Sequence, residues 1–339
     1  LSNKYSIFNT EKDLTNSFGF KSEELGASYS LNFEYNEDID ISSGFGYKRS
    51  NRNSPLKSTL SINDNIGNFD IYTFNLSILY DTRNDFLYPT DGALNSVYFE
   101  YSPEDISDDS YYKLLARSDL YLKSKNSNRF IFLSNDIGVA DALSNKLKTT
   151  NAFSLGGLNF KGFDYRGIGP KVDNIYLGGN KFFTSTIGIG GSFLFDDKDN
   201  ISTKLFYSLG SIWDSDYTSQ NNLDIRSSVG ISFDILTVIG PISFSYALPI
   251  DKNTDDITRE FNLSIGTSFW LYMLKFNRRN FYTIKNTITS NDIAKIIKNN
   301  IIDQRDNKKF QIFEISSLKN FRENSILFLG LSLIHISEP

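Results

Sequence analysis

The sequence predicts an all-β protein, and more specifically an antiparallel β-barrel that crosses a membrane. Apolar and polar residues alternate along about twelve segments, most segments exceed the five or six residues usual for strands, and turn-forming residues separate them. Large apolar side chains occupy one face, whereas Ser, Gly, Asn, Asp and Lys occupy the other. Such strands, with aromatic residues at both ends, are typical of barrels with lipid outside and water inside.

Each predicted strand follows from this alternation. In residues 261–269, for example, Phe261, Leu263 and Ile265 share one face, and Asn262 and Ser264 share the other. The same rule predicts strands at about residues 4–12, 25–36, 38–49, 68–82, 92–103, 111–124, 129–141, 179–195, 200–213, 224–236, 240–250 and 257–269. A soluble β-sandwich or lipocalin-like barrel is the alternative. The mean hydropathy of −0.31 does not distinguish the two, since only alternate residues of a membrane barrel meet lipid.

The composition excludes several classes of function. The chain has no cysteine, and its one histidine, His335, lies near the C-terminus, so thiol chemistry and imidazole catalysis are not expected in the barrel. A net charge of −5 without a long basic run argues against nucleic acid as a partner. We therefore expect no enzyme activity, no metal and no cofactor.

The predicted strands are interrupted by nearly forty residues without sustained alternation, between residues 141 and 179. Loops of this length are uncommon unless they are functional or disordered. This one contains the glycine-rich stretch SLGGLNFKGFDYRGIGP, residues 154–170, in which glycines permit positive φ and close backbone approach. We expect it to fold inside the barrel. Its candidate functional residues are Gly156, Gly157, Phe160, Lys161, Gly162, Phe163, Arg166, Gly169 and Pro170.

The stretch LGGLNFKGFDYRGIGP, followed by LGGNKFF, resembles the sixth extracellular loop of the BamA family of outer-membrane protein assembly factors, in the bacterial surface antigen superfamily. Three further stretches are similar to the same family in the same order: YDTRNDFLYPTDG at 80–92, GSIWDSD at 210–216, and VIGPISFSYALPI with REFNLSIGTSF at 238–269. The resemblance covers about residues 70–269 and is vaguer before them.

This resemblance implies a bacterial outer-membrane barrel of sixteen strands, of which residues 1–269 supply about twelve together with the long lumenal loop. We expect residue 1 to be an internal position, with the first strands and the periplasmic POTRA domains missing. The implied function is folding and insertion of β-barrel proteins into the outer membrane. The implied partners are unfolded outer-membrane protein clients, outer-membrane lipids, and accessory assembly lipoproteins bound through the missing periplasmic domains.

The loop departs from the family pattern at its tip. The family has an arginine there, whereas this chain has Lys161, and the acidic partners of that arginine align with Gly188 and Ser208. Lysine does not reproduce the bidentate guanidinium fork. Asp234 and Asp119, both predicted to face the lumen, are the two candidates to replace those acids, and the sequence leaves the partner of Lys161 open. Arg166 is interpreted either as a solvated loop charge or as a packing residue.

By the same resemblance, residues 257–269 form the last strand, which closes the barrel against the first strand by a short, weak ladder, the lateral gate. The candidate seam residues are Phe261, Leu263, Ile265, Gly266 and Phe269. Gly266 either permits a bend or is a small residue tolerated in the lumen. An edge that opens can template an incoming strand, and unpaired backbone groups are costly in lipid.

Three alternative functions remain open. A translocation barrel like TamA, or a two-partner secretion transporter, shares the loop and last strand with the assembly factors. A passive porin or adhesin shows the same alternation but does not need the glycine-rich loop. An outer-membrane hydrolase lacks its expected histidine base in this barrel.

After residue 269 the alternation stops. Residues 270–339 are expected to be an unrelated read-through segment, a small α+β piece or disordered, and TSNDIAKIIK predicts a capped helix with Ile293, Ile296 and Ile297 on one face. The segment is similar to the start of UDP-3-O-acylglucosamine N-acyltransferase, Met273 resembles that protein's first residue, and the ending LSLIHISEP resembles translated adaptor sequence. A genuine C-terminal extension is the alternative.

Overall fold

The computed structural model describes residues 1–265 except 16–18, 55–63, 87, 126–128, 173–174, 192–200, 220–221 and 238–239. Beyond residue 265 it describes 288–289, 311–312, 314–316 and 325–327. The chain divides into two units, residues 1–269 and 270–339. No helix in the described ranges has the length and apolarity needed to cross a bilayer.

The first unit is built on one antiparallel sheet of twelve strands, which confirms the predicted fold class. Its strands, in spatial order, are β1 (Ser2–Leu14), β2 (Phe20–Glu34), β3 (Ile39–Asn53), β4 (Gly67–Asp81), β5 (Gly92–Ser102), β6 (Tyr111–Lys123), β7 (Phe130–Ala142), β11 (Lys181–Gly191), β12 (Ile201–Trp213), β13 (Arg226–Thr237), β14 (Gly240–Asp251) and β16 (Phe261–Ile265). Each strand pairs with its neighbour in the chain, except that β7 pairs with β11 across the lumenal loop and β14 pairs with β16 past β15. Three two-residue strands, β8 (Gly162–Phe163), β9 (Lys171–Val172) and β10 (Ile175–Tyr176), lie in that loop, and β15 (Thr258–Arg259) precedes the last strand.

The two faces of the sheet are sorted as the alternation predicts. On β16, Phe261, Leu263 and Ile265 are 55%, 49% and 56% exposed, whereas Asn262 is 6% exposed. The other strands repeat the pattern, with exposed apolar side chains outside and buried serines and threonines inside. Because β1 and β16 end the strand order, neither pairs with the other within the described residues.

The interior of the sheet contains two apolar clusters. The larger one joins buried residues of the lumenal loop to inward-facing residues of β6, β7, β11 and β12. The smaller one contains Phe130 and Phe132 of β7, Phe206 of β12 and Ala247 of β14. Aromatic rings therefore stand on the otherwise polar inner face.

The second unit, residues 270–339, is described only in four short strands. β17 (Ile288–Thr289) pairs antiparallel with β18 (Gln311–Ile312), and β19 (Glu314–Ser316) pairs parallel with β20 (Ser325–Leu327). The helix expected around Ile293, Ile296 and Ile297 lies outside the described residues. The unrelated origin of this segment stays a prediction.

Candidate functional site

The lumenal loop, residues 143–180, leaves β7, folds into the interior and rejoins the sheet at β11. Backbone hydrogen bonds of 2.9 and 3.1 Å between Phe153 and Gly179 close its base. Buried loop side chains, among them Leu155 and Ile168, pack against Ile212 and other inward-facing strand residues. The loop is a packed element, as its composition predicts.

The glycines of the loop allow its tight path. Gly156 has a φ of +116°, and a Cβ there would lie 1.8 Å from the carbonyl oxygen of Asp164. Gly162, at the tip, has a φ of +98°, and its Cβ would lie 3.0 Å from a side-chain carbon of β13. Gly157 and Gly169 also have positive φ. A side chain at Gly156 or Gly162 would therefore displace the tip from the strands that it contacts.

Two phenylalanines anchor the tip on either side of Lys161. The rings of Phe160 and Phe163 are stacked, with centroids 5.1 Å apart and planes 3° from parallel. Both side chains are fully buried in the larger apolar cluster. Their burial gives the tip an apolar anchor that is independent of charge.

Lys161 contacts the wall of the barrel through its backbone and its side chain. The hydroxyl of Ser228 donates a 2.7 Å hydrogen bond to the Lys161 carbonyl oxygen. The Lys161 ammonium lies 5.0 Å from the centroid of the Phe206 ring, within the range of a cation–π contact. Burial lowers the pKa of the Lys161 ammonium, and the charge of Asp234 acts in the opposite direction.

The carboxylates expected to pair with Lys161 have other partners. Asp234 forms a 2.9 Å ion pair with Lys204, and Asp119 forms a 2.9 Å ion pair with Arg117. Within the described residues no carboxylate oxygen lies within 4.0 Å of the Lys161 ammonium. Lys161 lines a cavity of about 410 Å³ together with Asp234 and Lys204.

The two positions that align with the family's acidic partners lie on this same wall. Ser208 shares a 2.8 Å hydrogen bond with Thr186. Gly188 faces Phe206 across the ladder between β11 and β12. A Cβ at Gly188 would lie 2.6 Å from the Phe132 ring, so an aromatic side chain fills the space in which the family pattern predicts one of the carboxylates.

The remaining candidates of the loop are packed in place. Arg166 is buried with a φ of +57°, and its Nη2 donates a 2.6 Å hydrogen bond to the Tyr176 carbonyl. This geometry agrees with the packing interpretation of Arg166 and not with a solvated charge. The carbonyl of Pro170 accepts a 2.9 Å hydrogen bond from the N–H of Leu177.

The loop tip is joined to the segment that precedes the last strand. β8 pairs antiparallel with β15, so that Phe163 faces Thr258 and Gly162 faces Arg259. The N–H of Asp164 donates a 2.9 Å bond to the carbonyl of Ile257, and the Asp164 carboxylate lies 3.2 Å from the Arg259 guanidinium.

A second ion pair extends this junction. Lys171 lies 2.8 Å from Asp255, and this contact raises the pKa of the Lys171 ammonium. The Tyr176 hydroxyl donates to the backbone carbonyl of the same aspartate. The lumenal loop therefore pairs with the beginning of the last strand.

The described part of the last strand pairs with a neighbour on one side. β16 pairs with β14 over five residues, from Tyr246 facing Phe261 to Ile242 facing Ile265. Its other side has no partner strand in the described part of the chain. Gly266 and Phe269, two of the five seam candidates, lie outside the described residues.

Sequence reasoning missed the residues that hold the loop. Contacts between elements that are distant in sequence hold the loop, and they involve Phe206, Ser228, Asp164 and Arg259. The alternation of apolar and polar residues along one strand does not predict such contacts. One signal was available in the sequence. Phe206 alternates along the strand with Lys204 and Ser208, so it is an aromatic residue on the face that these polar residues share.

Comparison with known proteins agrees with this architecture. Residues 1–269 match the Omp85 superfamily domain. The chain belongs to the Omp85 superfamily. It is a BamA-like barrel of the bacterial outer membrane, as the sequence predicts.

Two Omp85 relatives are similar over part of this chain. The outer membrane protein assembly factor BamA of Neisseria meningitidis serogroup B is 25% identical over 175 aligned residues, which cover 41% of this chain and 22% of the relative. The crystal structure of BamA from Haemophilus ducreyi lacking POTRA domains 1–3 has the same fold, with a TM-score of 0.71 and 20% identity. That match covers 78% of this chain and 58% of the other.

A third comparison is more distant. CdiB from Escherichia coli matches with a TM-score of 0.45 and 11% identity, covering 77% of this chain and 48% of the other. The Omp85 chain described here thus spans less than two thirds of the length of each of these three proteins.

Proposed function

We propose that this chain is the barrel of an outer-membrane protein assembly factor, which folds and inserts client β-barrel proteins through the free edge of its last strand. The observation that carries the proposal is the match of residues 1–269 to the Omp85 superfamily domain, in which β16 ends the strand order and has no partner strand on its outer side among the described residues. A strand edge is a template for an incoming strand.

The physical basis is the cost of unpaired backbone groups in lipid. Each unsatisfied N–H or C=O group costs several kcal/mol in hydrocarbon, so a client strand gains by pairing as it enters the bilayer. No covalent bond is made or broken. The barrel lowers the barrier to insertion by offering an edge with matching donors and acceptors.

The direction of the backbone groups allows a sharp test. The carbonyl of Glu260 accepts a 2.8 Å hydrogen bond from the N–H of Ala247 on β14. Since alternate residues direct their backbone groups to opposite sides, those of Phe261 and Leu263 point to the free edge. Leu263→Pro therefore removes one outward donor and leaves the ladder to β14, because edge strands tolerate proline.

We expect Leu263→Pro, in the full-length protein reconstituted in vesicles, to fold but to insert an unfolded client barrel more slowly than the parent. Leu263→Ala is the matched control, because it removes the side chain and keeps the N–H. Client folding is followed by heat-modifiable electrophoretic mobility. Equal insertion by the proline variant and the parent would contradict an edge-dependent mechanism.

The proposed partners follow from this function. They are unfolded outer-membrane protein clients, outer-membrane lipids and accessory assembly lipoproteins. A TamA-like or two-partner secretion translocation barrel is the alternative. It predicts passage of a soluble polypeptide across vesicles that contain the full-length protein, which an assembly factor would not support.

A further inference from the structure

A row of polar side chains crosses the outer, lipid-facing side of the sheet. Its members face one another in three consecutive strand pairs, and they are Asn95 of β5, Ser118 of β6, Asn135 of β7 and Ser185 of β11. They share their side of the sheet with exposed apolar residues, because Val97 follows Asn95 at a spacing of two and Ile137 follows Asn135 in the same way.

The row lies within the apolar band of the barrel. Leu133 and Ile137 flank Asn135 on the outer face of β7, and Ala116 and Leu120 flank Ser118 on the outer face of β6. The neighbouring strand β4 has only apolar or aromatic side chains on this face between its ends, namely Tyr72, Phe74, Leu76, Ile78 and Tyr80. The polar row therefore meets hydrocarbon, in which unpaired polar groups are costly.

Hydrogen bonds within the row use the oxygen of each amide and leave its nitrogen. The Ser118 hydroxyl donates a 2.7 Å bond to Oδ1 of Asn95, and the Ser185 hydroxyl donates a 2.8 Å bond to Oδ1 of Asn135. Among the described residues neither Nδ2 group has an acceptor. An acyl chain offers none, so contact with lipid leaves both donors unpaired.

A second copy of the same surface offers the missing acceptor. A carboxamide is both a donor and an acceptor, so two Asn135 side chains related by a twofold axis can exchange two hydrogen bonds. The outward positions of residues 93–101, 112–122, 131–139 and 183–189 hold no charged residue. Two copies can therefore meet here without repulsion between like charges.

The inclination of the strands determines which residues meet. Strands of membrane barrels are tilted by about 35–45°, so a row that crosses them is inclined as well. Two copies in one bilayer are related by an axis along the membrane normal, so their inclined rows cross instead of lying side by side. Asn135, flanked in the row by Ser118 and Ser185, lies near the middle and is placed at such a crossing.

We infer that the outer face of β5, β6, β7 and β11 is an interface with a second copy of this protein, centred on Asn135. The two Asn135 amides pair across the twofold axis, and the apolar residues around them pack against their counterparts. The interface does not depend on the proposed function, because the edge assigned to the client is on β16, outside these four strands.

The first test is cysteine cross-linking of the full-length protein in vesicles, with any other cysteine removed. The thiol of Asn135→Cys lies beside its counterpart across the axis, so we expect oxidation to give a covalent homodimer. Leu76→Cys is the matched control, because Leu76 is on the outer face of β4 and outside the row. Equal dimer yields at the two positions would overturn the interface, as would cross-links from Asn135→Cys to a different protein alone in intact cells.

The second test measures association without cross-linking. Asn135→Leu removes the amide and keeps the backbone ladder of β7, and we expect association to weaken by roughly three- to twentyfold, the effect of one polar contact between membrane-spanning segments. The measurement is energy transfer between labelled copies as the protein-to-lipid ratio is varied, with heat-modifiable mobility as the check on folding. Ser43→Leu is the control, because it replaces an outward hydroxyl of β3 away from the row. Association of Asn135→Leu equal to that of Ser43→Leu would overturn the inference, whereas client insertion is measured separately.

Discussion

Lys161 carries its positive charge at the tip of the lumenal loop over an aromatic ring. The Phe206 centroid is 5.0 Å from its ammonium, while Asp234 and Asp119 are paired with Lys204 and Arg117. A desolvated cation–π contact contributes about 2 kcal/mol, comparable to a modest charge-assisted hydrogen bond. The tip is therefore held by its stacked phenylalanines, by Ser228 and by this contact, rather than by a bidentate ion pair.

We expect Lys161→Ala in the full-length protein to fold but to insert client barrels poorly, because the tip loses its contact with Phe206. Phe206→Leu should have a similar effect, since it removes the ring and keeps an apolar side chain. Lys161→Arg is the control that keeps the cation. The measurement is the rate of client folding in vesicles, with heat-modifiability of the variant itself as the check on its fold. Normal insertion by Lys161→Ala would mean that this tip contact is dispensable.

At the scale of elements, the loop and the last strand form one assembly. β8 adds to β15 rather than to the main sheet, which holds residues 258–259 beside the loop, while β16 continues on β14. The free edge at 261–265 lies beyond this junction. The proposed function therefore requires that the outer edge of Phe261–Ile265 is available to a client while the lumenal loop stays paired with β15.

A disulfide tests that requirement, and the absence of natural cysteines makes the engineered pair unique. Asp164 and Ile257 are joined by a 2.9 Å backbone hydrogen bond and directly flank the facing pair Phe163 and Thr258, and facing residues of antiparallel strands have Cα atoms about 4.5–5.5 Å apart, within disulfide range. We expect oxidised Asp164→Cys/Ile257→Cys protein to insert clients at the rate of its own reduced form. A block that is relieved by reduction would show that β8 must leave β15 during insertion.

The alternation predicted the strands because burial on one face of a strand leaves a period of two in the sequence. β4 and β7 begin and end within one residue of the prediction. β2 begins five residues earlier and β3 ends four residues later than predicted. Those ends carry polar residues on both faces, so the alternation of apolar and polar residues stops before the strand does. One of these residues is Arg52, which is buried and lies 3.7 Å from Asp109.

The candidate site was predictable in position but not in its contacts. Glycine spacing indicated a packed loop at 154–170, whereas the pairing of β8 with β15 and the contact of Lys161 with Phe206 join residues that are distant in sequence. Such contacts depend on how the sheet curves and on where neighbouring loops end. The alternation of residue types along a single sequence predicts neither the curvature of the sheet nor the ends of the loops.

At the scale of the whole molecule, a polar average composition coexists with a membrane-facing surface. Mean hydropathy is −0.31, although the outer face carries exposed apolar residues along the strands. The serines, threonines and charged residues of the inner face lower this average. Within the described residues the sheet has two free edges, at β1 and β16. The proposed function assigns the β16 edge to the incoming client.

The central claim, that a client strand pairs with this edge, is tested most directly by a disulfide ladder. Single cysteines replace Phe261, Leu263 or Ile265 in the full-length protein, and single cysteines are moved along one client strand. Leu205→Cys, on the outer face of β12, is the control. Facing residues of paired strands have Cβ atoms about 4.5–5.5 Å apart on the same face. We predict disulfide yields that alternate with period two along the client and shift by two residues between Phe261→Cys and Leu263→Cys. Yields without alternation, or no higher than those at Leu205→Cys, would contradict the account.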